Sequence, residues 1–231
     1  NAAGVTLESP LDISRMVLLQ EGRLYTNHHL RLLANEYQTA LIDPSGTGSI
    51  SGEVRVQRYL PRAFGYHYLS APVKDLSVGD FASYVNLNSP FPSVYRYQEQ
   101  NRDASGRDIS GWVRHTDPQL PLVPMRGYAF NFGTSTSPVT LEVSGPVHQG
   151  DYLLELDNHG GTYTQGFHLV GNPYPSPIDW EAPGWIKSNI DKGIYFFRAS
   201  QESQYGGTYT SYVSGVSSDG SLETSSVIPA M

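Results

Sequence analysis

Residues 166–180 have the sequence G-F-H-L-V-G-N-P-Y-P-S-P-I-D-W, and the start of this stretch echoes an earlier one. Residues 65–73 have the sequence G-Y-H-Y-L-S-A-P-V. Both stretches run glycine, aromatic, histidine, two apolar residues, a small residue, any residue and proline. His67 and His168 therefore hold equivalent places. Such an echo indicates a duplicated structural unit.

Later segments repeat in the same order. Residues 94–97 (V-Y-R-Y) correspond to residues 194–197 (I-Y-F-F), which places Tyr95 opposite Tyr195 in the alignment of the two copies. Residues 122–125 (L-V-P-M) likewise correspond to the V-I-P-A-M that ends at Met231.

The duplicated units are predicted at about 65–130 and 166–231, and they should superpose as related β-units. The first copy continues through residues 126–130, which have the pattern of a strand. The second copy reaches Met231 where that strand should begin, so its C-terminal strand is expected to be truncated. An unpaired sheet edge attracts partners, and the expected partners are other domains of the parent protein or a neighbouring copy.

The composition favours an all-β fold and excludes several functions. Only 16% of the 231 residues are charged, while the chain has 16 Tyr, 23 Gly and 16 Pro, a profile that suits short strands and turns. The net charge is −7 and the basic residues are scattered, which argues against nucleic-acid binding. The sequence contains no apolar run long enough for membrane insertion. Without cysteine it forms no disulfide.

Residues 1–60 show short apolar bursts separated by turn residues. The bursts are too short for ordinary sandwich strands and fit the rungs of a parallel β-solenoid, although a β-meander stays open as the alternative. In the solenoid, the side chains expected to face inward are Leu11, Ile13, Val17, Leu19, Leu30 and Leu32.

Residues 61–231 are predicted to form an antiparallel β-sandwich or jelly-roll-like body that contains the duplication. Seven strands are expected, and residues 144–150 should connect two of them as a hairpin. Short helices are expected within residues 75–85 and 180–189. The predicted strands lie at residues 94–98, 126–132, 139–143, 150–156, 166–170, 193–198 and 208–213.

Aromatic side chains are the first candidates for ligand binding. Tyrosine and tryptophan can form a platform on which sugar rings stack, although tyrosine is also simply a good strand residue. The candidate platform residues are Trp112, Trp185, Tyr205, Tyr209 and Tyr212.

The proline-rich tract after Gly171 has two interpretations. Its prolines stiffen the backbone, so the loop could present Asn172, Tyr174 and Asp179 to a ligand. It could equally be a rigid structural corner, with Trp180 and Trp185 buried beneath it. We favour the corner and keep Asn172 and Tyr174 as candidate binding residues.

No metal site, cofactor or catalytic motif is predicted. The two equivalent histidines lack the three or four convergent ligands that a metal requires. Calcium binding stays an open alternative at residues 103–108, 157–161 and 218–220. There, oxygen ligands stand beside glycine without the full calcium-loop pattern. A hydrolase with dispersed carboxylates also stays open as a third hypothesis.

The segment G-N-P-Y-P-S-P-I-D-W, with G-W-I-K-S-N-I-D-K-G-I-Y-F-F-R at 184–198 and S-G-E-V-R-V-Q-R-Y-L-P at 51–61, resembles a module of large Bacteroidota surface proteins. The type IX secretion system exports these proteins. The resemblance covers about residues 5–231. It implies an extracellular, cell-surface location and an adhesin-like architecture, and it transfers no catalytic residue.

Two functions follow as hypotheses. The first is a non-catalytic structural or adhesive module of a secreted bacterial cell-surface protein. The second is a carbohydrate-binding module appended to a polysaccharide-degrading enzyme, with glycans as the partner.

Overall fold

The structure is a computed structural model that describes residues 4–231, so residues 1–3 of the predicted solenoid part lie outside the described residues. The all-β prediction is confirmed: the described chain has eighteen strands and a single short 3-10 helix, Val78–Phe81. Several sheets are present, some parallel and some antiparallel.

The N-terminal part is built from three parallel ladders. The first joins β1 (Val5–Thr6), β4 (Arg23–Tyr25) and β7 (Ser49–Ser51). The second joins β2 (Leu11–Ile13), β5 (Leu30–Leu32) and β8 (Glu53–Leu60), and the third joins β3 (Met16–Leu18) and β6 (Leu41–Asp43). Each coil thus stacks on the next through parallel strands, so the solenoid prediction is confirmed and the meander is wrong. We call residues 4–56 the solenoid.

The predicted inward-facing residues are placed correctly with one exception. Leu30 and Leu32 are fully buried, and Ile13, Val17 and Leu19 are half-buried against the core. Leu11 is 39% exposed, contrary to the prediction. It lies on β2, the edge strand of its ladder in the described structure, where only Leu30 stacks against it from one side.

Strand β8 joins the solenoid to the body. It pairs in parallel with β5 and, over eight residue pairs, antiparallel with β13 (Val139–Pro146). Val54 and Val56 of β8 and Leu141 of β13 belong to one hydrophobic core that extends on both sides of the junction. The predicted domain boundary at 60/61 stays a prediction.

The predicted hairpin around residues 144–150 is wrong. Residues 150–156 contain no strand, and the partner of β13 is β8, far upstream in the sequence. Strand β13 pairs with β8 on one edge only and is the terminal strand of its sheet, so the residues after it do not add a further strand although the other edge is open to one.

The central antiparallel sheet has the order β11–β10–β12–β9. Its strands are β9 (Tyr66–Leu69), β10 (Val94–Tyr97), β11 (Trp112–Arg114) and β12 (Tyr128–Asn131). The inner face is buried, with Val94 and Phe130 both at 0% exposure. The 3-10 helix places Phe81 on Phe130, with ring centroids 4.6 Å apart. The outer face is aromatic.

The C-terminal part forms two small antiparallel sheets. One contains β15 (Ile194–Ala199), β16 (Gly207–Val213) and β17 (Val216–Ser217), and the other pairs β14 (Ile178–Asp179) with β18 (Val227–Ile228). Residues 180–189 form turns and bends, so the helix predicted there is wrong.

The duplication is supported at one pair of positions and contradicted at another. Tyr95 and Tyr195 lie on β10 and β15, and each strand pairs antiparallel with the next strand along the chain. Their superposition stays a prediction. His67 lies on β9, whereas His168 lies outside any strand, so the histidines are not equivalent and the strand expected at 166–170 is wrong. That segment makes only an isolated bridge, between Val170 and Arg126.

Candidate ligand-binding surface

Nine aromatic side chains form one continuous network on the outer face of the central sheet. Each ring lies within 6.5 Å, centroid to centroid, of another member, and the shortest separations are 4.6 Å. We call this set the aromatic surface; its members are Tyr66, Tyr68, Phe91, Tyr95, Tyr97, Trp112, Phe197, Tyr205 and Tyr209.

Strand alternation creates the first half of the surface. Because successive side chains on a strand point to opposite faces, Tyr66 and Tyr68 of β9 face outward while Leu69 is buried inside. On β10, Tyr95 and Tyr97 face outward in the same way, opposite to Val94. Each of these four-residue strands therefore contributes aromatic rings to the outer face and an apolar side chain to the core.

A small residue at the centre of the sheet makes room for a large one. Tyr95, Ala129 and Tyr68 are direct partners across three neighbouring strands, and directly paired residues share a face. The methyl group of Ala129 leaves space between the two tyrosines. Trp112 comes to 5.6 Å from Tyr68 and 6.4 Å from Tyr95, measured between ring centroids.

The hairpin β15–β16 provides the second half. The ring of Phe197 stacks on Tyr68 at 4.6 Å with an interplanar angle of 14°. The hydroxyls of Tyr68 and Tyr209 are 2.6 Å apart and share a hydrogen bond. Gly207 has to be glycine at this close approach, because a Cβ there would lie 2.2 Å from the ring of Phe197. The hairpin is thus docked on the sheet through aromatic contacts.

The outermost rings are open to solvent. Phe91, Tyr205 and Tyr209 are 49%, 53% and 56% exposed, and the rings of Phe91 and Tyr205 are 4.6 Å apart. The remaining members are half-buried and hold these rings from behind. The surface therefore offers flat, rigid ring faces with phenolic hydroxyls at their edges, which can stack on apolar faces and exchange hydrogen bonds with polar groups.

Two phenols of the surface, Tyr66 and Tyr68, have a strongly raised pKa. Burial raises the pKa of Tyr66 to about 12, with smaller contributions from its neighbours Tyr95 and Tyr205. Burial, followed by the hydrogen bond to Tyr209, raises the pKa of Tyr68 still further. Both hydroxyls therefore remain able to donate hydrogen bonds at any physiological pH.

The structure brings together three of the seven predicted binding residues. Trp112, Tyr205 and Tyr209 belong to the aromatic surface. Tyr212 is buried, and Trp185 lies 5.3 Å from Trp180, where its Nε1 donates to the carbonyl of Asp179 at 2.6 Å. Of the two tryptophans predicted to be buried, Trp180 is buried and Trp185 only half-buried.

Asn172 and Tyr174 lie in the proline-rich corner and not in the aromatic surface. The Asn172 amide is buried and donates to the carbonyls of Ser176 at 2.7 Å and Pro229 at 3.1 Å. The hydroxyl of Tyr174 donates to the carbonyl of Gly150 at 2.6 Å. These bonds use the polar groups that a ligand would need, and they favour the structural interpretation of the tract.

Ser176 links the same corner to the solenoid. Its hydroxyl donates to the carbonyl of Ile42 at 2.6 Å and accepts from the amide of Ile42 at 3.0 Å. The corner also lies beside the C-terminal residues, since Asn172 donates to the carbonyl of Pro229 and Ile178 pairs with Ile228.

In two of the three candidate calcium loops, the carboxylate accepts hydrogen bonds from protein groups. The carboxylate of Asp103 accepts from Arg107 and from two backbone amides of its own loop. Asp219 accepts from Ser221 and Thr224 and pairs with Arg198 at 3.1 Å. Across residues 4–231, no three histidine or carboxylate side chains form a group that could hold a metal.

Sequence reasoning missed a buried carboxylate near the aromatic surface. The Glu99 side chain is 2% exposed and accepts from His159 Nδ1 at 2.7 Å, from the His159 amide and from the hydroxyl of Thr164 at 3.3 Å. Burial alone would raise the pKa of Glu99, but these hydrogen bonds outweigh it and lower the pKa. Glu99 thus fastens the irregular loop at 157–165 to the end of β10.

Sequence reasoning also missed most members of the aromatic surface: Tyr66, Tyr68, Phe91, Tyr95, Tyr97 and Phe197. The alternation of tyrosine along β9 and β10 is the signal that could have found four of them.

Two concavities of the described structure lie elsewhere. They are shallow depressions of about 290 and 450 Å³ beside β5 and β8, lined largely by polar side chains such as Arg31, Arg55 and Glu36. Neither contains a member of the aromatic surface. Among residues 4–231, no helix is both long and apolar enough to cross a bilayer.

The fold and the surface define an all-β protein that carries a rigid, partly exposed aromatic cluster. The family model that matches residues 32–227 is described as a domain of unknown function, DUF8693, and the chain belongs to this family. No curated protein and no solved structure matches the chain.

Proposed function

We propose that this chain is a non-catalytic adhesive module of a secreted bacterial cell-surface protein, and that the aromatic surface binds carbohydrate. The observation that carries the proposal is the exposure of Phe91, Tyr205 and Tyr209 on top of a layer of half-buried rings. Soluble proteins expose single apolar residues freely, whereas contiguous exposed clusters mark interaction sites.

Carbohydrate suits this surface better than an aliphatic ligand. The C–H face of a pyranose is flat and apolar, and it stacks on aromatic rings, while its hydroxyls require polar partners at the ring edges. The surface supplies both, because six of its nine exposed or half-buried rings are tyrosines, among them Tyr95, Tyr205 and Tyr209. Rings that are already packed lose little conformational entropy when a ligand binds.

Binding without catalysis is supported by the state of the nearest buried carboxylate. Glu99 is shielded from solvent, and its oxygens are engaged by His159 and Thr164. A glycosidase needs two carboxylates that flank the scissile bond, and the hydrogen bonds of Glu99 hold it away from that role.

The location rests on the resemblance to exported surface proteins and on a composition rich in tyrosine and glycine and poor in charge. Export by the type IX system, and contact with other domains of the parent protein or with a neighbouring copy, belong to the same proposal.

A structural role is the second candidate function. The face-to-face stacking of Phe197 on Tyr68 and the Tyr68–Tyr209 hydrogen bond favour it, because both contacts dock the hairpin on the sheet. In that case the exposed rings would be the rim of a secondary core and would bind nothing. A carbohydrate-binding module attached to a polysaccharide-degrading enzyme would use the same rings as an adhesive module.

A glycan panel with ring-deletion variants tests the proposal. Phe91→Ala and Tyr205→Ala remove exposed rings that take no part in the Phe197–Tyr68 stack. Each should weaken glycan binding by about fivefold or more, since truncating an aromatic hot spot costs more than about 1 kcal/mol. Tyr37→Ala is the matched control, because Tyr37 is 86% exposed and lies on the solenoid.

The wild-type chain should bind at least one glycan class, and the control should bind it as the wild type does. A wild-type chain that binds no glycan on the panel, or a control that loses as much affinity as Tyr205→Ala, would refute the proposal.

A further inference from the structure

We infer that the ligand of the aromatic surface is an anionic, uronate-containing glycan, and that Arg114 binds its carboxylate. This inference rests on the proposed function and names the class of carbohydrate. It depends on where Arg114 lies relative to the rings.

Arg114 ends a row of side chains that crosses the whole central sheet. It is the direct partner of Tyr95, Tyr95 is the partner of Ala129, and Ala129 is the partner of Tyr68. Directly paired residues share a face, so the guanidinium lies on the side of the sheet that carries the aromatic surface. Trp112 lies on the same side, two residues earlier on β11.

The positive charge of Arg114 acts on the hydroxyl of Tyr95. Burial raises the pKa of Tyr95, and the positive charge of Arg114 partly offsets this effect. The cation is therefore close enough to the Tyr95 hydroxyl to act on the same bound group as that ring.

The guanidinium of Arg114 is available to a ligand. The side chain is exposed, its Nε donates to the hydroxyl of Thr116 at 2.8 Å, and within residues 4–231 no carboxylate lies within 4 Å of it. The carboxylates at the other end of β10 and β11 are already engaged, since Glu99 holds His159 and Asp108 pairs with Arg102 at 3.3 Å.

A uronate residue matches this arrangement. Its ring has an apolar face that stacks on an aromatic side chain, and its carboxylate projects from the ring edge. The Cβ atoms of directly paired strand residues are roughly 5 Å apart, a distance that one sugar ring spans. An arginine binds a carboxylate through two parallel hydrogen bonds, which a neutral sugar cannot accept in the same way.

Arg114 shares its exposure and its lack of a carboxylate partner with another arginine, which can serve as a control for the position of the charge. Arg96 is also exposed and also lacks a carboxylate within 4 Å among the described residues, but it lies on β10 between Tyr95 and Tyr97 and so points to the opposite face. Arg96→Gln and Arg114→Gln remove the same charge from neighbouring strands, one on each face.

The test compares galacturonan fragments with the same fragments after methyl esterification, which keeps the backbone and removes the charge. Calorimetry at low salt should show tighter binding of the free acid by the wild-type chain, by about tenfold, the effect of one charge-assisted hydrogen bond. Arg114→Gln should abolish the difference, and Arg96→Gln should keep it. Added salt should weaken the binding of the acid and leave that of the ester unchanged.

Each outcome decides one of the two claims. Equal binding of acid and ester that is lost in Tyr205→Ala would overturn the uronate inference and leave the carbohydrate proposal standing. A preference for the acid that survives in Arg114→Gln, or that is lost equally in Arg96→Gln, would show that Arg114 is not the carboxylate-binding residue. No binding of either form would overturn the inference, and the glycan panel then decides the proposed function separately.

Discussion

The solenoid and the aromatic surface are built from sequence at different ranges. In the solenoid, each strand stacks on one from the preceding coil, and the same apolar positions recur, as in the ladder Leu11, Leu30 and Val54. In the aromatic surface, Tyr68 meets Phe197 and Tyr209, residues more than a hundred positions away. The comparison teaches that repetition makes a region predictable, whereas a surface made by long-range contacts is indicated only in part by local patterns.

The largest expected effect is in the solenoid core. Leu32→Ala should lower the free energy of unfolding by about 2–5 kcal/mol, since Leu32 is 0% exposed and its loss leaves a cavity. Leu11 lies on the adjacent strand β2 and is 39% exposed, so Leu11→Ala should lower the free energy of unfolding by less than about 1 kcal/mol. Urea denaturation measures both. Equal losses for the two variants would contradict the observed edge position of Leu11.

The next effect concerns the docking of the hairpin. Phe197→Ala removes a half-buried ring and its stack on Tyr68, and we expect a loss of about 2 kcal/mol. Tyr195→Ala is the control, because it lies on the same face of the same strand but is 53% exposed. If the control destabilises the chain as much as Phe197→Ala does, the stack on Tyr68 is not what holds the hairpin.

A smaller effect comes from the hydroxyl pair within the aromatic surface. Tyr68→Phe removes the hydrogen bond to Tyr209 and keeps both rings, so the free energy of unfolding should fall by about 1 kcal/mol. A double-mutant cycle with Tyr209→Phe isolates the coupling. Strictly additive losses in the double variant would show that the two hydroxyls do not interact in solution.

The buried histidines predict how stability depends on pH. Burial lowers the pKa of His67, His115 and His148 below the ordinary value of 6.5. The unfolded chain then binds more protons, so stability is complete above about pH 6.5 and decreases as the pH falls towards the lowered folded-state pKa values. Urea midpoints between pH 7.5 and 5 should show this decrease. His148→Gln should make it shallower, and an unchanged slope would rule out a contribution from His148.

Much of the fold could be predicted because it depends on patterns within a few residues. Short apolar bursts indicated parallel rungs, and alternating residues located β10, β12, β13, β15 and β16. The errors arose where pairing partners are distant. The segment at 150–156 has the composition of a strand, but β13 pairs with the distant strand β8 and the segment itself forms no ladder. His168 lies in a motif like the one around His67, but residues 166–170 form only an isolated β-bridge, between Val170 and Arg126.

The candidate site could be predicted in part. Composition pointed to tyrosine and tryptophan, and Trp112, Tyr205 and Tyr209 lie in one aromatic group, while their binding of a ligand stays a prediction. Tyr212 looked equivalent to Tyr209, but it lies three positions further along β16, and the odd spacing turns it to the buried face. No local pattern indicated that Glu99 is buried and hydrogen-bonded, because its partners His159 and Thr164 lie on a loop about sixty residues away.

The sequence by itself determined the all-β class and favoured the stacked coils of the solenoid and a stiff corner at Asn172, because strand period, turn residues and proline act locally on the backbone. Only the tertiary structure decided that Tyr68 would stack on Phe197, that Ala129 would make room for Trp112, and that Arg114 would lie on the aromatic face. These outcomes depend on strand register, and register is set by which distant strands pair, information that no single segment contains.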